Sequence, residues 1–307
     1  MNAAAKAGLR TIRLANGIVD TIVLIIILLL VVVGCFAIWD SNQVLQAAVA
    51  SQYEIYKPAE EDNGLSFREL QSINPEVFAW LTVYGTHIDY PVVQGMNNMK
   101  YVNTNALGQY SLSGAIFLDT SCSIDFSDFS SILYGHHMDK QAMFGEIGLF
   151  AQKDYFDARR YGMLYNDEKE HGLEFFAFVH CDAYDTSVFR TSIEEPEEQQ
   201  EYLDLLFETA TLTRDVSVTI ADHIVLLSTC SSSATNGRDI LVGRITDEVY
   251  DDPFWTEEAD RETPVVQGLL SVWTQILPWI KLAVILLVIS LLLMLLVIIH
   301  KKGRRNR

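Results

Sequence analysis

Cys230 ends an apolar run, Leu226-Leu227-Ser228-Thr229-Cys230, and Arg238 opens the next one after seven residues of turn-like composition finishing in Asn236-Gly237. Two short apolar runs split by a Ser- and Gly-containing loop predict strand, turn, strand. Paired that way, the thiol and the guanidinium face each other across the mouth of one loop. A thiolate is the attacking form of cysteine, and nearby positive charge favours it. A fixed guanidinium also suits a developing oxyanion. The third reactive group is His136 or His137, in Tyr134-Gly135-His136-His137 at the end of another apolar run. Adjacent side chains on an extended backbone point to opposite faces, so only one of the two can reach the thiol. The same geometry makes them a poor shared metal site. No HExxH pattern or ligand-spaced carboxylate cluster occurs, so no metal and no cofactor is expected.

Taken singly, each group has a plainer use. A cysteine at a strand end is commonly a small buried hydrophobe, a lone arginine after a turn a surface charge, and a single histidine a structural or exposed one. The case rests on the combination.

The elements that must hold these groups are mostly short strands. Periodicity and turn residues predict strands at residues 77–84, 87–93, 114–119, 131–137, 160–165, 173–183, 216–220, 224–227 and 240–246. Helical spacing is expected within 40–75, where Asp40-Ser41-Asn42 can cap and Asn74-Pro75 stops the helix, and again at 99–106, 143–156 and 194–210. Pro196 in an acidic first turn marks the start of the last. With about eight strands, few helices and no regular βαβ alternation, the fold class expected is mainly β, a mixed eight-stranded barrel with helices added between strands.

Of 22 basic and 40 acidic residues, 13 basic and 39 acidic ones lie between residues 40 and 280. A domain so acidic does not bind nucleic acid through its general field. Thr21 to Trp39 and Leu282 to Ile299 are uncharged apolar stretches, each about 27–29 Å long as a helix and so near the thickness of a bilayer core. Both extreme ends are basic, which predicts cytoplasmic termini and an outside centre. The segments expected are a cytoplasmic 1–17, a membrane helix 18–39, a helical extracellular 40–75, a barrel 76–248, a tether 249–275, a second membrane helix 276–299 and a basic cytoplasmic tail 300–307. Ala48-Val49-Ala50 has the composition of a signal-peptide cleavage site, but it lies 11 residues beyond Trp39, and an uncleaved anchor is expected. Cys122, Cys181 and Cys230 lie outside the membrane segments, an odd number that leaves at least one thiol free unless chains pair.

In order, these motifs resemble those of a sortase. Leu227-Ser228-Thr229-Cys230 resembles the Thr-Leu-x-Thr-Cys motif, with Leu226 in place of the first Thr, and Gly237-Arg238-Asp239-Ile240-Leu241-Val242 resembles the arginine-bearing strand that follows it. Tyr134-Gly135-His136-His137-Met138, Asp89-Tyr90-Pro91-Val92-Val93-Gln94, Asn98 and Gly114-Ala115-Ile116-Phe117-Leu118-Asp119 resemble the class B branch, over residues 65–248 as a whole. The resemblance implies a membrane-anchored bacterial cysteine transpeptidase with Cys230 as nucleophile, His136 as acid/base partner, Arg238 as oxyanion or substrate stabiliser, and Asn98, Val102, Tyr134 and Ser228 along the peptide groove. It implies as partners surface proteins carrying a C-terminal sorting signal, cleaved after Thr, and as acceptor a peptidoglycan-precursor amine or, in a pilin polymerase, a pilin lysine. A catalytically idle binding domain on the same fold is the reading from a different class. Ser231 stands where the family carries an acidic residue, and a second membrane span is unusual for class B. Asp252-Pro253-Phe254 resembles the inhibitory lid of pilus-building class C enzymes but follows the barrel, and reads as tether.

Overall fold

The computed structural model describes residues 3–58, 64–230 and 236–255. Residues 1–254 form one compact unit. Its core is a closed wall of eight strands in the order β5, β1, β2, β3, β4, β8, β9, β6, with β6 pairing back onto β5. The strands are β1 Val77–Val83, β2 Asp89–Val93, β3 Ile116–Leu118, β4 Ser130–Tyr134, β5 Tyr161–Asn166, β6 Lys169–Asp182, β8 His223–Cys230 and β9 Gly237–Thr246. The pairings β2–β3 and β4–β8 are parallel and the rest antiparallel, which makes the barrel mixed. A ninth strand, β7 (Ala210–Thr213), adds to the outside edge of β6.

Alternation along the strands sorts side chains into two cores. Val225 and Leu227 of β8, Leu241 of β9 and Leu133 of β4 point into the barrel with Phe175 and Phe178. Ile224, Leu226, Ile240, Val242 and Ile132 point outward into a second cluster. That outer cluster is covered by α4 (Pro196–Thr209), which buries Tyr202, Leu203 and Leu206. Burying each of these apolar bodies is worth about 1.5–3 kcal/mol. Tyr202 also donates its hydroxyl hydrogen to the Val188 carbonyl, 2.5 Å away, tying α4 to the segment before it.

The first helix, α1 (Ala3–Gln46), runs unbroken through Asp40-Ser41-Asn42, so those residues cap nothing. Within its part Ala15–Gln46 an 18-residue window has a mean hydropathy of 3.4, and the helix is long enough to cross a membrane. Two 3-10 turns (Ala50–Gln52, Glu54–Tyr56) and α2 (Leu65–Ile73) follow. Asn74 ends α2 in an extended conformation, as a residue before proline must.

Three other expectations are corrected. Residues 216–220 form no strand: Val216 and Val218 pack on the outer cluster at period two, while their amides bond residues two back rather than a ladder. The strand in this region is β7, just after α4. Residues 143–156 place Phe144, Ile147, Phe150 and Phe156 in the core at the expected spacing, but as a 3-10 turn (Ile147–Ala151) and a short α3 (Lys153–Ala158), because Gln152 between them is extended. Residues 99–106 hold only one 3-10 turn, Lys100–Val102. The second membrane segment lies outside the described residues, as does residue 256 onward of the tether. The start of that tether is packed rather than free: Tyr250 stacks on Tyr161 at 4.0 Å, and Phe254 lies against Gly85 and the Arg159 guanidinium.

Candidate active site

Cys230 and Arg238 are direct partners in the β8–β9 ladder. Directly paired residues share a face, and theirs is the outer one, four and two residues on from Leu226 and Ser228 on β8 and two before Ile240 on β9. Cys230 is solvent-exposed. Arg238 donates from Nη1 to the Gly237 carbonyl at 3.2 Å and, among the described residues, forms no ion pair with a carboxylate. Its neighbour Asp239 points the other way and is taken by His180, with Nδ1 to Oδ1 at 2.7 Å. The guanidinium on the outer face therefore keeps its charge available.

The histidine is brought in by the parallel β4–β8 pairing. Tyr134 partners Ser228, and the Gly135 N–H continues the ladder to the Ser228 carbonyl at 3.2 Å. The paired register ends there, and His136 follows two residues later on one strand as Cys230 does on the other. Neighbouring strands lie about 4.8 Å apart. Alternation continued past the end of β4 turns His136 to the face of Ile132 and Tyr134. His137 falls on the opposite face, where it pairs with Met143 and its Nδ1 is buried without a partner among the described residues. Gly135 is required by space: a Cβ there would lie 2.7 Å from the Phe144 ring.

His136 Nε2 is 2.9 Å from the Val102 carbonyl oxygen. A carbonyl can only accept, so Nε2 carries the hydrogen and Nδ1 is left to exchange a proton. Gly114, with φ +60, lets the chain approach this carbonyl, since a Cβ would stand 2.8 Å from the Val102 oxygen.

A cavity of about 270 Å³ adjoins Arg238 on this face, lined also by Tyr134, Ala183, Thr186 and Phe189. Of the expected groove residues, Tyr134 lines it directly. Its hydroxyl donates to Asp119 Oδ2 at 3.2 Å, and burial with that carboxylate nearby pushes its pKa well up. Asn98 Nδ2 donates to the same oxygen at 2.8 Å, while its Oδ1 accepts from the Thr120 N–H at 2.9 Å. Ser228 is 1 % exposed and its Oγ has no hydrogen-bond partner among the described residues. Val102 contributes through its backbone rather than its side chain. Asp119, which fixes Asn98 and Tyr134 together, was not singled out by sequence reasoning. The signal available was an acid closing the apolar run 114–118.

Cys181 partners Arg238 from β6, on the same outer face. It and Cys122 are buried and free, and burial pushes both thiols up to about 11. Neither is a disulfide partner of the other. Residues 231–235, including Ser231, lie outside the described residues. A larger cleft of about 630 Å³ opens at the far end of β8 and β9, between His223, Ile245 and Asp247. Asp252-Pro253-Phe254 follows β9, and its Phe254 lies against Gly85 and Arg159 rather than in this cleft.

A closed mixed barrel with an exposed thiol paired to an arginine, and a histidine just past the end of the neighbouring strand, suits cysteine acyl transfer. No family model matched the chain. Sortase B of Staphylococcus aureus (strain NCTC 8325 / PS 47) is 29% identical over 181 residues, 58% of this chain and 74% of the relative. The crystal structure of sortase B from the type II pilus of Streptococcus pneumoniae is 44% identical, with a TM-score of 0.52 over 59% of this chain and 98% of that one. A Streptococcus pyogenes class B sortase involved in pilus biogenesis is 37% identical, with a TM-score of 0.54 over 60% and 99%. The chain belongs to the class B sortases. It is accordingly a cysteine transpeptidase.

Proposed function

We propose that Cys230 is the nucleophile, His136 the proton-transfer group and Arg238 the oxyanion or substrate-backbone stabiliser of this transpeptidase. The observation that supports the reading is register: Cys230 partners Arg238, and the last β4–β8 pair, Tyr134–Ser228, stands two residues before both His136 and Cys230. The thiolate attacks the Thr carbonyl of a C-terminal sorting signal and the bond to the following residue breaks. His136 protonates the departing amine, and a thioester remains on Cys230. An incoming amine loses its proton to His136, attacks the thioester and releases the thiolate, so the peptide bond broken is replaced by a new amide. Asn98, Val102, Tyr134 and Ser228 flank the bound signal.

The acceptor is an amine of a cell-wall precursor, reached by an enzyme that α1 holds at the membrane with the barrel outside and both termini in the cytoplasm. A pilin lysine as acceptor is the second reading. It is favoured by the identity to two pilus-associated sortases, 44% and 37%, above the 29% to Staphylococcus aureus sortase B. Incubating the protein and a sorting-signal peptide with equal amounts of a peptidoglycan-type amine and a pilin-lysine peptide separates the readings. A product joined to the wall-type amine supports the first. A product joined to lysine supports the second, and no amine-joined product from either contradicts both.

A further inference from the structure

The segment that leaves the apolar helix is not a passive linker. Ala48 is fully buried and Tyr53 is 3 % exposed. Both dock on Tyr90 of β2. The Tyr53 and Tyr90 rings meet edge to face at 6.3 Å. The Tyr90 hydroxyl donates to the Ala48 carbonyl at 2.9 Å. The Tyr90 hydroxyl oxygen in turn accepts the Met143 N–H, also at 2.9 Å. Burial pushes the Tyr90 pKa up, so the hydroxyl keeps the hydrogen it donates.

Met143 stands at the base of the loop that carries His136. The Phe144 N–H donates to the His136 carbonyl at 3.0 Å, and His137 pairs with Met143. Three non-glycine residues here have left-handed backbones: Lys140 (φ 55), Gln141 (φ 64) and Met143 (φ 54). That region is sparsely populated by such residues and persists where surroundings hold it. A second link runs through the other side of the imidazole. Ser113 donates its hydroxyl hydrogen to the Ala47 carbonyl at 3.3 Å, next to Gly114, which lies against the Val102 carbonyl that takes His136 Nε2.

We infer that Tyr90 is a positioning residue: its hydroxyl joins the membrane-proximal segment at Ala48 to Met143 and so holds the His136 loop in its working geometry. The inference rests on the proposed role of His136. It couples the anchor to the chemistry, because the segment that docks on Tyr90 is continuous with α1.

The test uses the full chain in detergent or nanodiscs, with a sorting-signal peptide and an amine acceptor. Tyr90→Phe removes one oxygen and leaves the ring on Tyr53. The expected result is a kcat lower by about tenfold to a hundredfold, the range that small misplacement of a catalytic group costs, with KM within twofold and Cys230 still open to alkylation. Ser113→Ala, which releases only the weaker link, is expected to lower kcat less, also at constant KM. His136→Ala in the same assay separates this inference from the reading beneath it. If His136→Ala is inactive and Tyr90→Phe keeps the parent kcat, the positioning role is overturned. A kcat that recovers fully on cooling, in step with a lost melting temperature, assigns Tyr90 to stability alone and also overturns it. An active His136→Ala overturns both.

Discussion

Cys230 and Arg238 partner one another across β8 and β9, and both side chains leave the outer face of the barrel wall. Strand pairing sets the guanidinium beside the thiol. Asp239, one residue on, is kept from neutralising it by alternation and by its bond to His180. Cationic assistance to Cys230 thus depends on strand register alone.

Arg238→Ala is expected to lower kcat about 10²–10³-fold, as loss of an oxyanion donor does. Arg238→Lys is expected to recover little, since a point charge does not reproduce the planar fork. Steady-state kinetics with a sorting-signal peptide checks this. Full activity in Arg238→Lys would show that charge alone suffices.

The two histidines are expected to part sharply. His136→Ala should cost about 10²–10⁴-fold in kcat, the range of a lost proton-transfer group. His137→Ala should leave kcat within a few-fold and act on stability, because its ring lies on the other face. Paired kinetic and melting measurements decide it. Equal kinetic losses in two folded variants would refute the assignment.

Thiol labelling is expected to be selective. At pH 8 a charged alkylating reagent should modify Cys230, which is exposed, and spare Cys122 and Cys181, which are buried and pushed up to about 11. Peptide mapping by mass spectrometry reads the sites. Labelling of Cys181 as fast as Cys230 in folded protein would contradict the burial on which this rests.

The same buried groups predict alkaline behaviour. Folding raises Cys122 and Cys181 from 9.0 to about 11, and Tyr53 and Tyr202 from 10.0 to about 12. The folded state then binds these protons more tightly than the unfolded chain. Their stabilisation is complete below about pH 9 and is lost as pH rises through about 11 and 12. Tm should hold to pH 9 and fall beyond it. A Tm that holds level to pH 11 would count against these shifts.

The placement of the candidate groups is legible where it is written in strand ends. Cys230, Arg238 and His136 each close or open an apolar run, and period-two alternation alone predicts that one of His136 and His137 faces the thiol. What was not legible depends on partners distant in sequence. Val216 and Val218 mimic a strand because a surface run packing on a core shows the same period as a paired one. Val102 was sought as a side chain, yet it acts through a carbonyl, which no residue type reveals. Asp119 joins Asn98 to Tyr134 only once the barrel closes. Ala48, Tyr90 and Met143 meet over 42 and 53 residues of sequence through one hydroxyl.

The most direct test of the account is the mass of the protein after brief mixing with a sorting-signal peptide and no amine acceptor. A covalent adduct equal to the peptide's N-terminal fragment through Thr, mapped to Cys230, removed by hydroxylamine and absent from Cys230→Ala, is the predicted result. Cleavage of the peptide by Cys230→Ala, or an adduct on another residue, would contradict it.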